Sequence, residues 1–273
     1  MNKKLTGALL TVFLLSGCQS LQNSFMNDET NTPKAEEQDA GQAEKNGQAG
    51  EAEQQADDVL TLPAQYFNQV VETQGKKVIQ NSDNMLVLVN KDYYLSDSYI
   101  PKDLVRANVR YSFGDEENEK ALLRQEAATA LEEMFKAADN EDIELFAVSG
   151  YRSYARQEIL FNVEVERNGL EAAKEAVAVP GQSEHQTGLT MDISSRSVDL
   201  LLTQDYESTA EGKWLAQNAH KYGFILRYPK GKEAVTGYKY EPWHFRYVGK
   251  DFAKTIYEKG LTLEEYFNIV KEI

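Results

Sequence analysis

The chain has 273 residues, 41% of them hydrophobic, a formal net charge of −15, three histidines and one cysteine. That length allows one sizeable core, and a single cysteine excludes an internal disulfide. No basic stripe with interleaved aromatics is present, which argues against a nucleic-acid-binding surface.

Lys3 and Lys4 precede an apolar run from Leu9 to Leu15, the pattern of a secretory signal. The run is too short to cross a bilayer as a helix, which takes about 20 apolar residues. It ends in Leu15-Ser16-Gly17-Cys18, which resembles the lipobox of bacterial lipoproteins. The resemblance implies a signal peptide over residues 1–17, with Cys18 lipidated and first in the mature chain. An ordinary signal peptide with an incidental cysteine is the alternative. A lipid on Cys18 would hold the protein at the outer face of the cell membrane, facing the cell wall, without spanning it.

Residues 18–58 turn to Glu, Gln, Asp, Ala, Asn and Gly. Asp28 to Asp58 hold ten acidic residues and two lysines, a net of −8. Such a segment cannot bury enough apolar surface to offset its ordering entropy and is expected to be a disordered tether. A coil of about 40 residues reaches roughly 35 Å, more when like charges extend it. The signal region contributes +2, which leaves −9 on the 215 residues from Val59 to Ile273. Residues 59–273 are expected to form one domain acting as a monomer, with its chemistry between residues 85 and 248.

Within that domain, Met85 to Val89 is a short apolar run that fits a strand. Tyr93 to Arg110 reads as irregular. Glu119 to Ala138 places Leu122, Leu123, Ala127, Ala130, Leu131, Met134 and Phe135 at helical spacings. A buried strand over Ile143 to Val148 follows. Ser149-Gly150-Tyr151-Arg152-Ser153-Tyr154 then leads into a helix from Ala155 to Arg167, stopped by Asn168-Gly169. A short helix from Ala172 breaks at Pro180-Gly181, and Leu189 to Ile193 alternates like a strand. Glu211 to Tyr222 reads as a helix with Gly223 as its C-cap. Phe224 to Leu226 and Trp243 to Val248 are expected strands, and helices over Lys250 to Lys259 and Leu263 to Lys271 end the chain. Helices and strands mix without regular alternation, which predicts an α+β fold with a small antiparallel or mixed sheet flanked by helices.

Ser183-Glu184-His185-Gln186-Thr187-Gly188-Leu189-Thr190-Met191-Asp192 carries the first candidate chemistry. Strand alternation puts Asp192 opposite in facing to Met191 and Ile193, and His244 opposite to Trp243 and Phe245. Two imidazoles and a carboxylate, His185, Asp192 and His244, with one position open, make the ligand set of a catalytic zinc. A polar turn that contains a histidine is the alternative. Glu241, three residues before His244, suits a general base near a metal site; a solvated loop carboxylate is the bland reading. Arg152 suits a carboxylate partner, an oxyanion stabiliser or a surface ion pair. Gln157 points to the same cleft or to solvent, and Ser183 is a substrate contact or a loop hydroxyl. His220 has no ligand partner at suitable spacing and is expected to be structural.

Three signatures occur in order: Ser149-Gly150-Tyr151-Arg152-Ser153, Ser183-x-His185-x-x-Gly188-x-x-x-Asp192, and Glu241-Pro242-Trp243-His244. Together they resemble the VanY-type zinc D-alanyl-D-alanine carboxypeptidases, over roughly Met85 to Val248. Thr190 stands where the family often has alanine. The resemblance implies Zn²⁺ on His185, Asp192 and His244, Glu241 as catalytic base, and a cleft lined by Arg152, Gln157, Ser183 and Trp243. It implies peptidoglycan stem peptides as substrate and a D,D or an L,D bond as the bond cut. A peptidoglycan endopeptidase on the same fold, and a lipoprotein that binds cell-wall peptide without turnover, are the competing readings.

Overall fold

The computed structural model describes residues 60–273. The signal peptide, Cys18 and the acidic tether lie outside the described residues.

Short strands and helices follow one another without regular alternation. β1 (Thr61–Leu62), β2 (Val70–Thr73), β3 (Lys76–Ile79), β4 (Tyr93–Tyr94), β5 (Leu104–Arg106) and β6 (Leu122–Arg124) precede helix α1 (Gln125–Asp139). β7 (Phe146–Ser149), α2 (Tyr154–Asn168), α3 (Leu170–Ala176) and β8 (Thr190–Ser194) come next. The chain ends with α4 (Ala210–Asn218), β9 (Phe224–Leu226), α5 (Glu233–Thr236), β10 (His244–Tyr247), α6 (Lys250–Glu258), α7 (Leu263–Ile269) and β11 (Lys271–Glu272). The fold is α+β, as expected. Its central element is a four-stranded sheet in the order β7-β8-β10-β9, antiparallel throughout.

Alternation along the strands divides the sheet into two faces. Ala147, Met191, Ile193, Phe224 and Phe245 join one core cluster with Leu131, Met134 and Phe135 of α1. Asp192 and His244 occupy alternate positions and turn the other way. A second cluster packs α6 and α7, through Ala253, Ile256, Leu263 and Tyr266, against Leu62 and Ile225. β11 pairs with β1 in parallel and ties the end of the chain to its first described strand.

Several expected elements differ. Met85 to Val89 is buried or half-buried but is not a strand. The side chain of Asn68 meets both backbone groups of Leu88, donating to its carbonyl at 2.7 Å and accepting from its amide at 3.1 Å. An asparagine thus does what a neighbouring strand would do. The expected helix from Glu119 begins only at Gln125, because Leu122–Arg124 pairs with Leu104–Arg106. That pairing also gives strand structure to part of the segment expected to be irregular. The strand expected from Ile143 starts at Phe146. The helix expected to reach Tyr222 is α-helical to Asn218 and tightens to a 3-10 turn over Ala219–Tyr222, where Gly223 caps it at φ 87°. The last helix ends at Ile269, because Val270 turns extended to feed β11.

Candidate active site

The β8–β10 register sets Asp192 directly opposite His244. On the other side of β8, a register shift between Ala147 and Ser149 brings Ser149 opposite Asp192. Such a bulge bends a strand and re-aims the residues beyond it; here it sends Gly150, Tyr151 and Arg152 across the site. The Gly150 amide donates to the Lys120 carbonyl and the Tyr151 amide to the Leu122 carbonyl, each at 2.7 Å. A side chain at 150 has no room, since a Cβ would sit 2.5 Å from the Leu122 carbonyl oxygen and 2.9 Å from the Met191 methyl.

His185 is held from two sides. Its Nδ1 lies 2.7 Å from the Gly150 carbonyl oxygen, and its own carbonyl accepts from the Arg152 amide at 3.1 Å. The bond at Nδ1 fixes the proton there and leaves Nε2 as a free lone pair. His185 sits in a 3-10 turn, Glu184–Thr187, that ends at Gly188 with φ 65°. That left-handed conformation is open to glycine at little cost, and it delivers the chain into β8.

His185, Asp192 and His244 are all buried, and one donor atom from each lies within 4.8 Å of the others. His185 Nε2 is 3.4 Å from Asp192 Oδ2, and His244 Nδ1 is 3.1 Å from Asp192 Oδ1. Yet Asp192 Oδ1 has no hydrogen-bond partner among the described residues. Its contact with His244 is therefore close without being aligned, as when lone pairs share a common target. Two imidazole nitrogens and a carboxylate fit a zinc ion with one position left open.

The electrostatics agree with a cation site. Burial opposes charge on His244, but Asp192, Glu184 and Glu241 outweigh it and raise His244 to about 9. Burial, with Arg152 beside it, pushes His185 down to about 3. Asp192 is held below the usual carboxylate range, the pull of His185, His244 and Arg152 exceeding the effect of burial. The cluster attracts positive charge, and a proton and a metal compete for it.

Glu241 opens a turn closed by a bond from the His244 amide to the Glu241 carbonyl at 3.1 Å, with Pro242 at the position that favours proline. Its Oε2 is 3.4 Å from His244 Nδ1, and its side chain is 28% exposed against 5% for His244. It stands at the rim of the cluster, where burial pushes its carboxyl up to about 7 while His244 pulls the other way. Arg152 donates to Gln157 Oε1 at 3.0 Å and to Ser149 Oγ at 3.2 Å. Beside it opens a cleft of about 470 Å³ whose lining includes Tyr151, Arg156 and Lys120. Gln157 is buried and gives its amide hydrogen to the Ala178 carbonyl at 2.7 Å, so it serves the cleft by bracing Arg152. Ser183 is buried at the start of the turn that carries His185. Trp243 is half-buried against the main core. His220 stacks on Tyr257 at 3.7 Å, apart from this cluster.

Sequence reasoning missed Glu184 and its partners. Glu184 is fully buried; its Oε1 accepts from Arg227 Nε at 2.7 Å and from an Arg246 guanidinium nitrogen at 2.9 Å. Arg227 in turn forks onto Glu264 at 2.7 and 2.8 Å. One signal was available. Arg246 lies two residues after His244, on the same face of an otherwise apolar strand.

A family model described as VanY, D-alanyl-D-alanine carboxypeptidase, matches residues 120–250. YodJ of Bacillus subtilis (strain 168) is 50% identical over 97% of this chain and 94% of its own. The solved LdcB LD-carboxypeptidase is 56% identical, with a TM-score of 0.77 over 78% of this chain and all of that one. The D,D-pentapeptidase VanY from the VanB-type resistance cassette, solved with Zn(II), is 32% identical, with a TM-score of 0.55 over 67% of this chain and 99% of that one. Matched along nearly its whole length, and over the segment that carries every cluster residue, the chain belongs to the VanY family of D-alanyl-D-alanine carboxypeptidases and is a hydrolase.

Proposed function

We propose that the protein is a zinc carboxypeptidase that removes the terminal D-alanine from peptidoglycan stem peptides. The convergence of His185 Nε2, Asp192 and His244 Nδ1, with Glu241 at their rim, carries this reading. Greater similarity to the LD-carboxypeptidase than to the D,D-pentapeptidase favours the L,D bond of a tetrapeptide stem. A D,D bond is the second reading, supported by the name of the matching family.

His185, Asp192 and His244 would hold the zinc. Zinc bound there supplies Lewis acidity toward the scissile carbonyl and lowers the pKa of a water towards about 7. Glu241 Oε2, at the exposed rim, takes the proton of the attacking water and passes it to the leaving amine of D-alanine. Arg152, braced by Gln157 and Ser149, presents its guanidinium to the developing oxyanion or to the substrate's free carboxylate. The family resemblance gives Ser183 and Trp243 a substrate-side role as well, although neither is among the residues that line the cleft beside Arg152.

The location of such a substrate agrees with the amino terminus. We propose that Cys18 carries a lipid, and that residues 18–58 tether the enzyme to the outer face of the bacterial membrane, facing the wall.

Four outcomes test these readings. Mass analysis of defined stems after incubation is expected to show the tetrapeptide shortened by one D-alanine; an internal cut would point to an endopeptidase and sink the proposal. Glu241→Ala should keep its zinc and lose about 10²–10⁴-fold in kcat, whereas His185→Ala should lose zinc as measured by metal content; activity that survives exhaustive chelation contradicts the metal mechanism. Arg152→Ala should lower kcat/KM by about 10²–10³-fold, in kcat if it meets the oxyanion and in KM if it meets the carboxylate; unchanged kinetics would remove it from the cleft chemistry. Cys18→Ala should move the protein from the membrane fraction to the medium, and continued membrane association would refute the anchor.

A further inference from the structure

Glu184 is a buried carboxylate for which the zinc mechanism has no use. Its Oε1 is spent on Arg227 and Arg246. Its Oε2 has no hydrogen-bond partner among the described residues, and neither has His244 Nε2. These two atoms are 3.6 Å apart. The opposite edge of the same ring, Nδ1, faces Asp192 and Glu241.

A neutral imidazole carries one proton, and its place decides which nitrogen can bind a metal. On His185 the Gly150 carbonyl settles the matter. On His244 the Glu184 carboxylate stands beside Nε2, with Oε2 3.6 Å away. We propose that Glu184 is a positioning residue: it holds the proton of His244 on Nε2, so that the Nδ1 lone pair points at the metal position. The inference rests on the zinc reading of the site.

The surrounding network is built to keep Glu184 charged and still. Arg227 and Arg246 are both fully buried on it. Arg227 is clamped from behind by Glu264 of α7, and Arg246 also donates to the carbonyls of Met85 and Tyr247. Two carboxylates and two guanidiniums balance, so the group as a whole adds no net charge beside the metal. Carboxylate support of a ligating histidine affects metal affinity by about 10–100-fold.

The test is zinc affinity by competition with a chelator, on wild type and three variants. In Glu184→Gln the arginines favour the amide oxygen, which turns the amide nitrogen toward His244 Nε2 and stabilises the wrong tautomer. Glu184→Asp keeps the charge for the arginines but draws the carboxylate back from the ring. Both are expected to weaken zinc binding by about 10–100-fold. Glu264→Gln breaks the same network away from His244 and is expected to keep wild-type affinity within about twofold, whatever it does to thermal stability. If wild type binds zinc and the Glu184 variants bind it equally well, or no more weakly than Glu264→Gln, the inference is overturned. If wild type binds no zinc, the underlying reading fails instead. Should the Glu184 variants not fold, nitrogen NMR of His244 in zinc-free wild type at alkaline pH decides: a proton on Nε2 is expected, and one on Nδ1 contradicts the inference.

Discussion

The antiparallel pairing of Thr190–Ser194 with His244–Tyr247 is the interaction on which the site depends. It joins two segments some fifty residues apart and sets a carboxylate directly across from an imidazole. Opposed side chains on such a pair approach to about 5 Å, close enough to share a metal. Everything else at the site is hung from this pair. The bulge before Ser149 brings the Gly150 carbonyl to His185, and the turn at Glu241 brings the base to the Nδ1 edge of His244, the edge that faces Asp192.

Burial makes that pairing electrostatically demanding. Taking Asp192 and Glu184 out of water costs several kcal/mol each unless paired. Glu184 is held well below its usual range by Arg227 and Arg246, against the upward pull of burial. Asp192 lacks such a dedicated cation and relies on the imidazoles and Arg152. The two carboxylates thus differ in what completes them. One is neutralised within the protein; the other sits where a metal ion would satisfy it. The chain's overall negative charge does not extend to the cleft beside Arg152, where Arg152, Lys120 and Arg156 face a single carboxylate, Glu119.

Much of this was legible in the sequence, and the parts that were not have physical causes. Alternation along Thr190–Ser194 and His244–Tyr247 exposed both the strands and the polar face that carries Asp192 and His244. The stop at Gly169 and the cap at Gly223 were readable because a left-handed residue ends a helix in a local way. Met85 to Val89 misled because its apolar residues are buried while its backbone is paired by the Asn68 side chain, a contact 20 residues away in the chain. Leu122 and Leu123 misled because they fit a helical spacing yet pair with Leu104–Arg106. The Glu184 network went unread because its members lie 43 and 62 residues apart, and its one local sign was Arg246 on the strand face of His244, which names no partner.

The central claim is that three side chains from β8, β10 and the turn before β8 hold one zinc ion. Anomalous diffraction at the zinc absorption edge, from crystals of protein purified without chelator, tests it most directly. The account predicts a single strong peak bounded by His185 Nε2, Asp192 and His244 Nδ1, with Glu241 adjacent to its open side. A zinc-loaded crystal with no peak there, or with its peak bound by other residues, would contradict it.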